Sequence, residues 1–479
     1  EDQSVREFVV EPRSEYGVVR IQQDFRSGDT QVGGILTGTR RQLPGDGSFD
    51  WLTSTAYSTG LDFEHTWDDR TWALHGFIAA GHIRGDSTAM IRVQRSSNHY
   101  FQRPDATWVT MDSTATAMTG TEWRLQFDKR GGQHWTWGIW TGQVTPALEV
   151  NDLGFSSNQE KLDAGARVTY REIEPGTVFR NYSMTFTTFH NWSHEALNEP
   201  LSLRSWGDAH KSGTLSLRWS SQLLNWWNIE LNGGYRPPLF SYTQTRGGPV
   251  MVEPTGYSLT ASVRTDSRRA LSFRPRVTWG REHDDAGGRL EAALDVVWRP
   301  SARLELRLDP SYARSTTSAQ SVTAADTLYY EPTFGKRYLF GELDREQFSL
   351  NSRFYVAFST TLTLEAYAQA LLSAGQYASY QQLEAARTYD FDVFERGVYG
   401  EDAAGSLCTD GRICSDPDGR QHVDFDGDGR ADYDFSDRDF NFRSLRGNLV
   451  LRWEYRPGST VFLVWQHRRS NREDFGDFD

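Results

Sequence analysis

Nine residues towards the C-terminal end, Asp424-Phe425-Asp426-Gly427-Asp428-Gly429-Arg430-Ala431-Asp432, have the types and spacing of a cation-binding loop. Carboxylates at the first, third, fifth and ninth positions bring hard oxygen ligands in from alternate residues. Glycine at the sixth allows the tight turn that such convergence needs. Asp424, Asp426, Asp428 and Asp432 would supply side chains and Arg430 its backbone carbonyl, a donor set that suits Ca2+. The twelfth position, where an EF-hand closes with a bidentate Glu, is Phe435. The closing ligand therefore has to come from elsewhere, and Asp434 and Asp437 are the candidates. No flanking helices are evident, so the expectation is a structural calcium in an extracellular type of loop; the other reading is a solvated acidic loop. Asp410, Asp416 and Asp418 lie close by, as do Cys408 and Cys414. The cysteine spacing predicts a small local disulfide in an oxidising compartment, with a pair of free thiols as the alternative.

A second set of chemically capable residues is spread along the chain. Arg124, Arg167, Arg218, Arg307, Arg446 and Arg452 occur on the polar phase of apolar-alternating runs, together with Glu122, Glu230, Glu291, Glu305, Glu365 and Glu454. They predict a lining of an interior, either as a selectivity surface for a solute or as an ion-pair network; the mixture of signs favours the network. Hydrolytic chemistry has two candidate pairs, Asp208 with His210 and His283 with Asp284 and Asp285. No Gly-x-Ser-x-Gly elbow and no His-Glu-x-x-His accompanies them. The expectation is therefore not an enzyme, and a hydrolase acting on envelope lipid or glycan is the alternative.

The elements that must position these residues are hairpins. In Ser444–Trp465, Leu445, Gly447, Leu449, Leu451, Trp453 and Tyr455 point one way, and Arg446, Asn448, Arg452 and Glu454 the other, with Val450 the one apolar intruder. Strict alternation over ten residues makes a strand with one apolar and one wet face, and Arg456-Pro457-Gly458-Ser459 turns it back. The same grammar recurs at Val19/Ile21/Phe25, Leu61/Phe63, Trp123/Leu125/Phe127, Leu290/Leu294/Trp298 and Leu362/Leu364. Connections alternate between short turns and long segments, the long ones being about 83–117, 145–160, 191–211, 237–255, 314–345 and 373–443. Aromatic residues crowd the short turns: Phe25, Trp67, Phe127, Trp219, Trp298, Phe358 and Tyr455. Pro275, in mid-strand, calls for a bulge.

Composition decides what the apolar faces meet. Mean hydropathy is -0.63, only 37% of the 479 residues are hydrophobic, and no apolar run is long enough for a spanning helix. Aromatics nevertheless reach 13%, with 17 Trp, 20 Tyr and 27 Phe. A hydrophilic chain this rich in Trp and Tyr fits an all-β, antiparallel outer-membrane barrel, in which each strand offers half its side chains to lipid and aromatic girdles sit at both interfaces. A soluble sandwich or propeller would not sort its loops by length in this way. The formal charge, 51 − 64 = -13, argues against a nucleic-acid partner, which wants a basic patch. The predicted architecture is a single barrel over residues 1–479, about 18–20 strands when complete, in the bacterial outer membrane among lipid and lipopolysaccharide. Residues 373–443 would form a long extracellular lid. The acidic run Arg472–Asp479 follows an outward strand, so one further inward strand is expected beyond it.

Five segments carry a family resemblance: Gln22–Gly28, Arg337–Leu343, Leu364–Gln369 with Gly375-Gln376-Tyr377, Arg387–Phe391, and Leu451–Thr460. With them the chain resembles, over essentially its whole length, the barrel half of a family of unknown function. In that family a β-sandwich similar to carbohydrate-binding-module family 9 precedes the barrel, and a further strand follows the acidic tail. The resemblance implies no catalytic residues. Together these readings predict a channel, or an anchor for a periplasmic or surface partner.

Overall fold

The computed structural model describes residues 9–156, 160–403 and 405–478. Among them, eighteen strands have nine residues or more. The first ten are β1 (Arg13–Phe25), β2 (Thr30–Gln42), β3 (Thr53–Trp67), β4 (Trp72–Gly85), β5 (Ala117–Lys129), β6 (Trp135–Val144), β7 (Lys161–Glu172), β8 (Phe179–Trp192), β9 (His210–Leu223) and β10 (Asn228–Arg236). The others are β11 (Gly256–Arg264), β12 (Leu271–Glu282), β13 (Gly287–Ser301), β14 (Leu304–Tyr330), β15 (Gly335–Ala357), β16 (Leu362–Leu383), β17 (Phe440–Arg456) and β18 (Ser459–Glu473). The fold class is all-β and antiparallel, as the alternation predicts. Contacts divide the chain into two units. One holds the described residues up to 169 with 187–214 and 239–250; the other holds 170–186, 215–238 and 251 onward.

In the first unit, β1 to β6 pair in sequence order. Register puts Ile21 opposite Gly34, Gly34 opposite Leu61, Leu61 opposite Ile78 and Ile78 opposite Trp123. These form one apolar row, and Leu61 is 63% exposed. One residue along, the row runs Gln22, Gly33, Asp62, Phe77 and Arg124, polar except for Phe77. Gly33 has no side chain because an ion pair occupies the space: a Cβ there would stand 2.6 Å from the Arg20 guanidinium and 2.8 Å from Asp62. At the short turns, Trp67, Trp72, Phe127 and Trp137 pack ring against ring, with centroids 5.4–5.9 Å apart.

In the second unit, β9 to β18 pair in the same serial way. An apolar row runs Leu271, Trp298, Leu306, Phe354, Ala366, Leu449 and Trp465 across successive strands. Pro275 makes no bulge against β13, where it stands in unbroken register opposite Leu294. Its missing N–H falls on the other edge. Phe273 donates to and accepts from Thr265 there, Pro275 faces the same way two residues on, and the β11 pairing has stopped at Ser262 opposite Arg276.

The buried apolar residues are not in the middle of the sheet. In the first unit, Ala56, Ile83 and Met118, at strand ends, pack with Ala89 and Met90 of helix α1 (Ser87–Arg95). Asp86 caps that helix by accepting from the Thr88 N–H. In the second unit, Val322, Leu339 and Tyr380 pack with Phe394, Ile413, Val423, Phe425 and Phe435. Two long connections differ from their sequence boundaries. The segment 314–345 is not a loop: β14 and β15 run through it and turn at 331–334. Its Ser/Thr/Ala-rich composition reads as a loop, yet Ala319, Val322 and Ala325 are buried against a cover of aromatics, three residues apart because the register against β15 shifts between them. Small residues suffice for a strand that another layer covers. For the same reason β16 continues to Leu383 and β17 begins at Phe440, so the lid spans 384–439 and not 373–443.

Candidate functional site

Strand parity puts the charged residues singled out in the sequence on the polar faces, and the geometry joins most of them locally. In the first unit Arg124 lies 4.0 Å from Asp163 and Arg167 3.9 Å from Asp128. In the second, Arg218 pairs with Glu230 at 3.4 Å, Arg452 with Glu454 at 3.6 Å, and Glu291 with Arg289 at 2.5 Å. Glu305 holds both Arg307 and Arg299. Glu122, Arg446 and Glu365 make no ion pair among the described residues. Exposed pairs of this kind contribute roughly 0–1 kcal/mol each, so their role is to neutralise the face.

The polar face of the second unit also carries an open cavity of about 590 Å³, lined by Glu305, Arg307, Arg353, Tyr355, Glu365, Tyr367 and Asn448 with the apolar Val450. Four adjacent strands, β14 to β17, supply these side chains at matched register: Arg307 opposite Arg353, Arg353 opposite Tyr367, and Tyr367 opposite Asn448. Arg353, Tyr355 and Tyr367 were not singled out in the sequence, and Asn448 was placed only on the polar face of its hairpin. The signal was there, in the polar phase of β15 (Ser349, Asn351, Arg353, Tyr355), but only pairing shows which residues of other strands stand beside them.

The acidic loop sits in the lid of the second unit. Asp424 is buried and its carboxylate accepts from the Gly427 and Gly429 N–H groups, both at 2.7 Å. Gly427 and Gly429 have φ of +80° and +87°, which only glycine adopts without strain. The Asp432 carboxylate accepts from the Phe425 N–H at 2.7 Å. Carboxylate oxygens of Asp424, Asp426 and Asp432 converge within 4.8 Å of one another. Burial, then the charges of Asp426, Asp424 and Asp428, push the Asp432 carboxyl above its ordinary value against that one N–H. Asp428 is not in the trio and accepts from the Arg430 N–H, while the Arg430 side chain reaches Asp402 at 2.7 Å. Of the candidate closing ligands, Asp434 is engaged by Arg420, and Asp437 accepts from the Arg438 N–H and the Tyr380 hydroxyl. Phe435 is buried in the lid core. Cys408 and Cys414 are joined, with Cα atoms 5.6 Å apart, and beside them His422 Nε2 contacts Asp416 at 3.1 Å. That bond, ahead of the turn's own N–H groups, holds the Asp416 carboxyl below its ordinary value.

The pairs proposed for hydrolysis do not assemble a catalytic group. Asp208 pairs with Arg204 at 3.5 Å, whereas the His210 ring meets His190 at 2.9 Å. His283 and Asp284 approach to 3.3 Å on an open surface, and Asp285 turns to Arg281. Buried charge in the first unit lies elsewhere, as where the Glu160 side chain takes Lys211 at 3.0 Å and His194 at 3.3 Å. Glu149 meets His99 Nε2 at 3.1 Å.

A family described as Domain of unknown function (DUF5916) matches residues 1–396. No curated protein matches the chain. Among solved structures it is similar to the ferric enterobactin receptor PfeA of Pseudomonas aeruginosa, at 10% identity and a TM-score of 0.41, covering 89% of this chain and 66% of that one. It is also similar to the FrpB iron transporter of Neisseria meningitidis, at 8% identity and a TM-score of 0.39, with 92% of this chain and 74% of that one covered. For the siderophore receptor PirA of Acinetobacter baumannii the identity is 6% and the TM-score 0.39, with coverage of 94% and 73%. The chain thus spans just under two thirds of the length of the first of these.

Proposed function

The chain belongs to the DUF5916 family, and from that premise we propose that it is an integral outer-membrane β-barrel serving as a passage for solutes, with a calcium-braced lid over its outer end. One observation carries the reading: long rows of Leu, Ile, Val and Trp stay exposed along the strands while the buried cores lie at strand ends, beneath the long connections that pack on them. A sheet in water would have to cover such rows, since contiguous apolar surface is costly beyond a few hundred Å². A bilayer, with lipopolysaccharide in its outer leaflet, covers them without a second protein layer. The aromatic clusters at the short turns fit the inner interface, and the neutralised polar faces fit a wet interior. The Asp424–Asp432 loop braces the lid: calcium would relieve the repulsion among Asp424, Asp426 and Asp432 and hold the turn closed.

Single-channel conductance of the refolded protein in a planar bilayer, with and without calcium, tests this. Steady conductance is expected, with calcium changing its level or its gating. Silence in both conditions would reject the passage and leave anchoring of a periplasmic or surface partner as the role. Conductance indifferent to calcium and to Asp426→Asn would remove the brace while keeping the passage.

A further inference from the structure

We propose that the cavity on the polar face of the second unit binds a small α-ammonium carboxylate, a free amino acid, with Arg353 taking its carboxylate and Glu365 its ammonium group. This rests on the reading of that face as the solute's path. The starting point is an imbalance in the cavity wall. Glu305 and Arg307 are paired with each other, and Glu305 also with Arg299. On the same wall Arg353 and Glu365 have neither an ion-pair nor a hydrogen-bond partner among the described residues. The Asp309 carboxylate feels Arg353 only from beyond ion-pair distance.

Register explains why the two stand near each other without meeting. Arg353 pairs with Tyr367 and Tyr355 with Glu365, so the two charges are diagonal neighbours on one face of β15 and β16. The Arg353 guanidinium lies 5.7 Å from the Tyr367 ring, against the wall and facing the cavity. Across β17, Asn448 stands opposite Tyr367 with its Oδ1 buried and unpartnered. The cavity thus offers a planar donor fork, a carboxylate and a spare carbonyl acceptor, with two tyrosine faces between them. A guanidinium takes a carboxylate bidentately, and an ammonium has three donors to share between Glu365 and Asn448. A solute carrying both charges on one carbon satisfies every group, and a singly charged one leaves half of them unmet. The volume, about 590 Å³, is within the usual range for small-molecule sites, roughly 300–1,000 Å³.

The test is calorimetric titration of the refolded full chain in detergent with three probes of one shape: L-phenylalanine, 2-phenylethylamine and 3-phenylpropionate. L-Phenylalanine is expected to bind about tenfold tighter than either singly charged probe, because each lacks one set of charge-assisted hydrogen bonds. Arg353→Gln should bring L-phenylalanine down to the affinity of 2-phenylethylamine and leave that amine unchanged; Glu365→Gln should do the same relative to 3-phenylpropionate. Equal binding of the three probes, or no binding of L-phenylalanine, overturns the proposal. Both side chains are solvent-facing, and circular dichroism with heat-modifiable gel mobility verifies that each variant folds. Because binding is read in detergent, its failure is separate from a failure to conduct.

Discussion

The strands and the 384–439 lid use the same apolar residue types in opposite ways. In the lid, Phe394, Val423 and Phe435 are all but sealed from solvent beneath Tyr380 and Leu339. Along the sheet, Leu61 and Trp465 keep more than half their surface. The lid is therefore an ordinary water-soluble core in miniature, stapled by Cys408–Cys414 because so small a core gains little from burial alone. No described residue buries the sheet's exposed apolar rows, so on the function proposed here their stabilisation comes from the surrounding lipid. One chain thus answers to two solvents.

The largest effect should come from breaking the lid. Tyr380→Ala removes a side chain only 1% exposed and should cost about 3–5 kcal/mol locally. Hydrogen exchange would show protection lost at 391–435 and kept in β3 and β4. Next, Leu61→Arg puts a charge on the apolar row. It should cost roughly 2–4 kcal/mol for unfolding from lipid vesicles if the row faces the bilayer core, against about 0.5 kcal/mol for a water-facing position. A value at the lower figure would erase the contrast drawn above. Reduction of Cys408–Cys414 should destabilise the lid by about 2 kcal/mol and leave urea unfolding of the sheet where it was.

The smallest effect is acid sensitivity in the first unit's connections. Burial pushes the Glu149 carboxyl up, but His99 and the Asn151 N–H more than offset it and hold it below its ordinary 4.5. A depressed folded-state value stabilises above that ordinary value, and the gain is lost as pH falls through the folded one. Amide protection over 145–156 should accordingly weaken on acidification below about pH 4.5, and Glu149→Gln should flatten that dependence. Protection independent of pH in the unsubstituted protein would show that the His99–Glu149 contact contributes nothing.

Much of this was legible in the chain. Period-two alternation in β17, β5 and β13 reports strands directly, because a pleated backbone sends successive side chains to opposite faces. The acidic loop was legible too, since its carboxylates, glycines and turn are contiguous. What the sequence misplaced was the upper parts of β14, β15 and β16, where small polar residues look like a loop. They are strands because the lid covers them, and a cover made of residues 391–435 is invisible to any local window. The cavity was hidden for the same reason. Arg353, Glu365 and Asn448 lie on three different strands and come together through the register of two pairings. The sequence by itself determined which side chains face which side of each strand, a property of the local backbone. Only the tertiary structure decided which charges found partners and which were left open, because that depends on the alignment of strands that alternation alone does not specify.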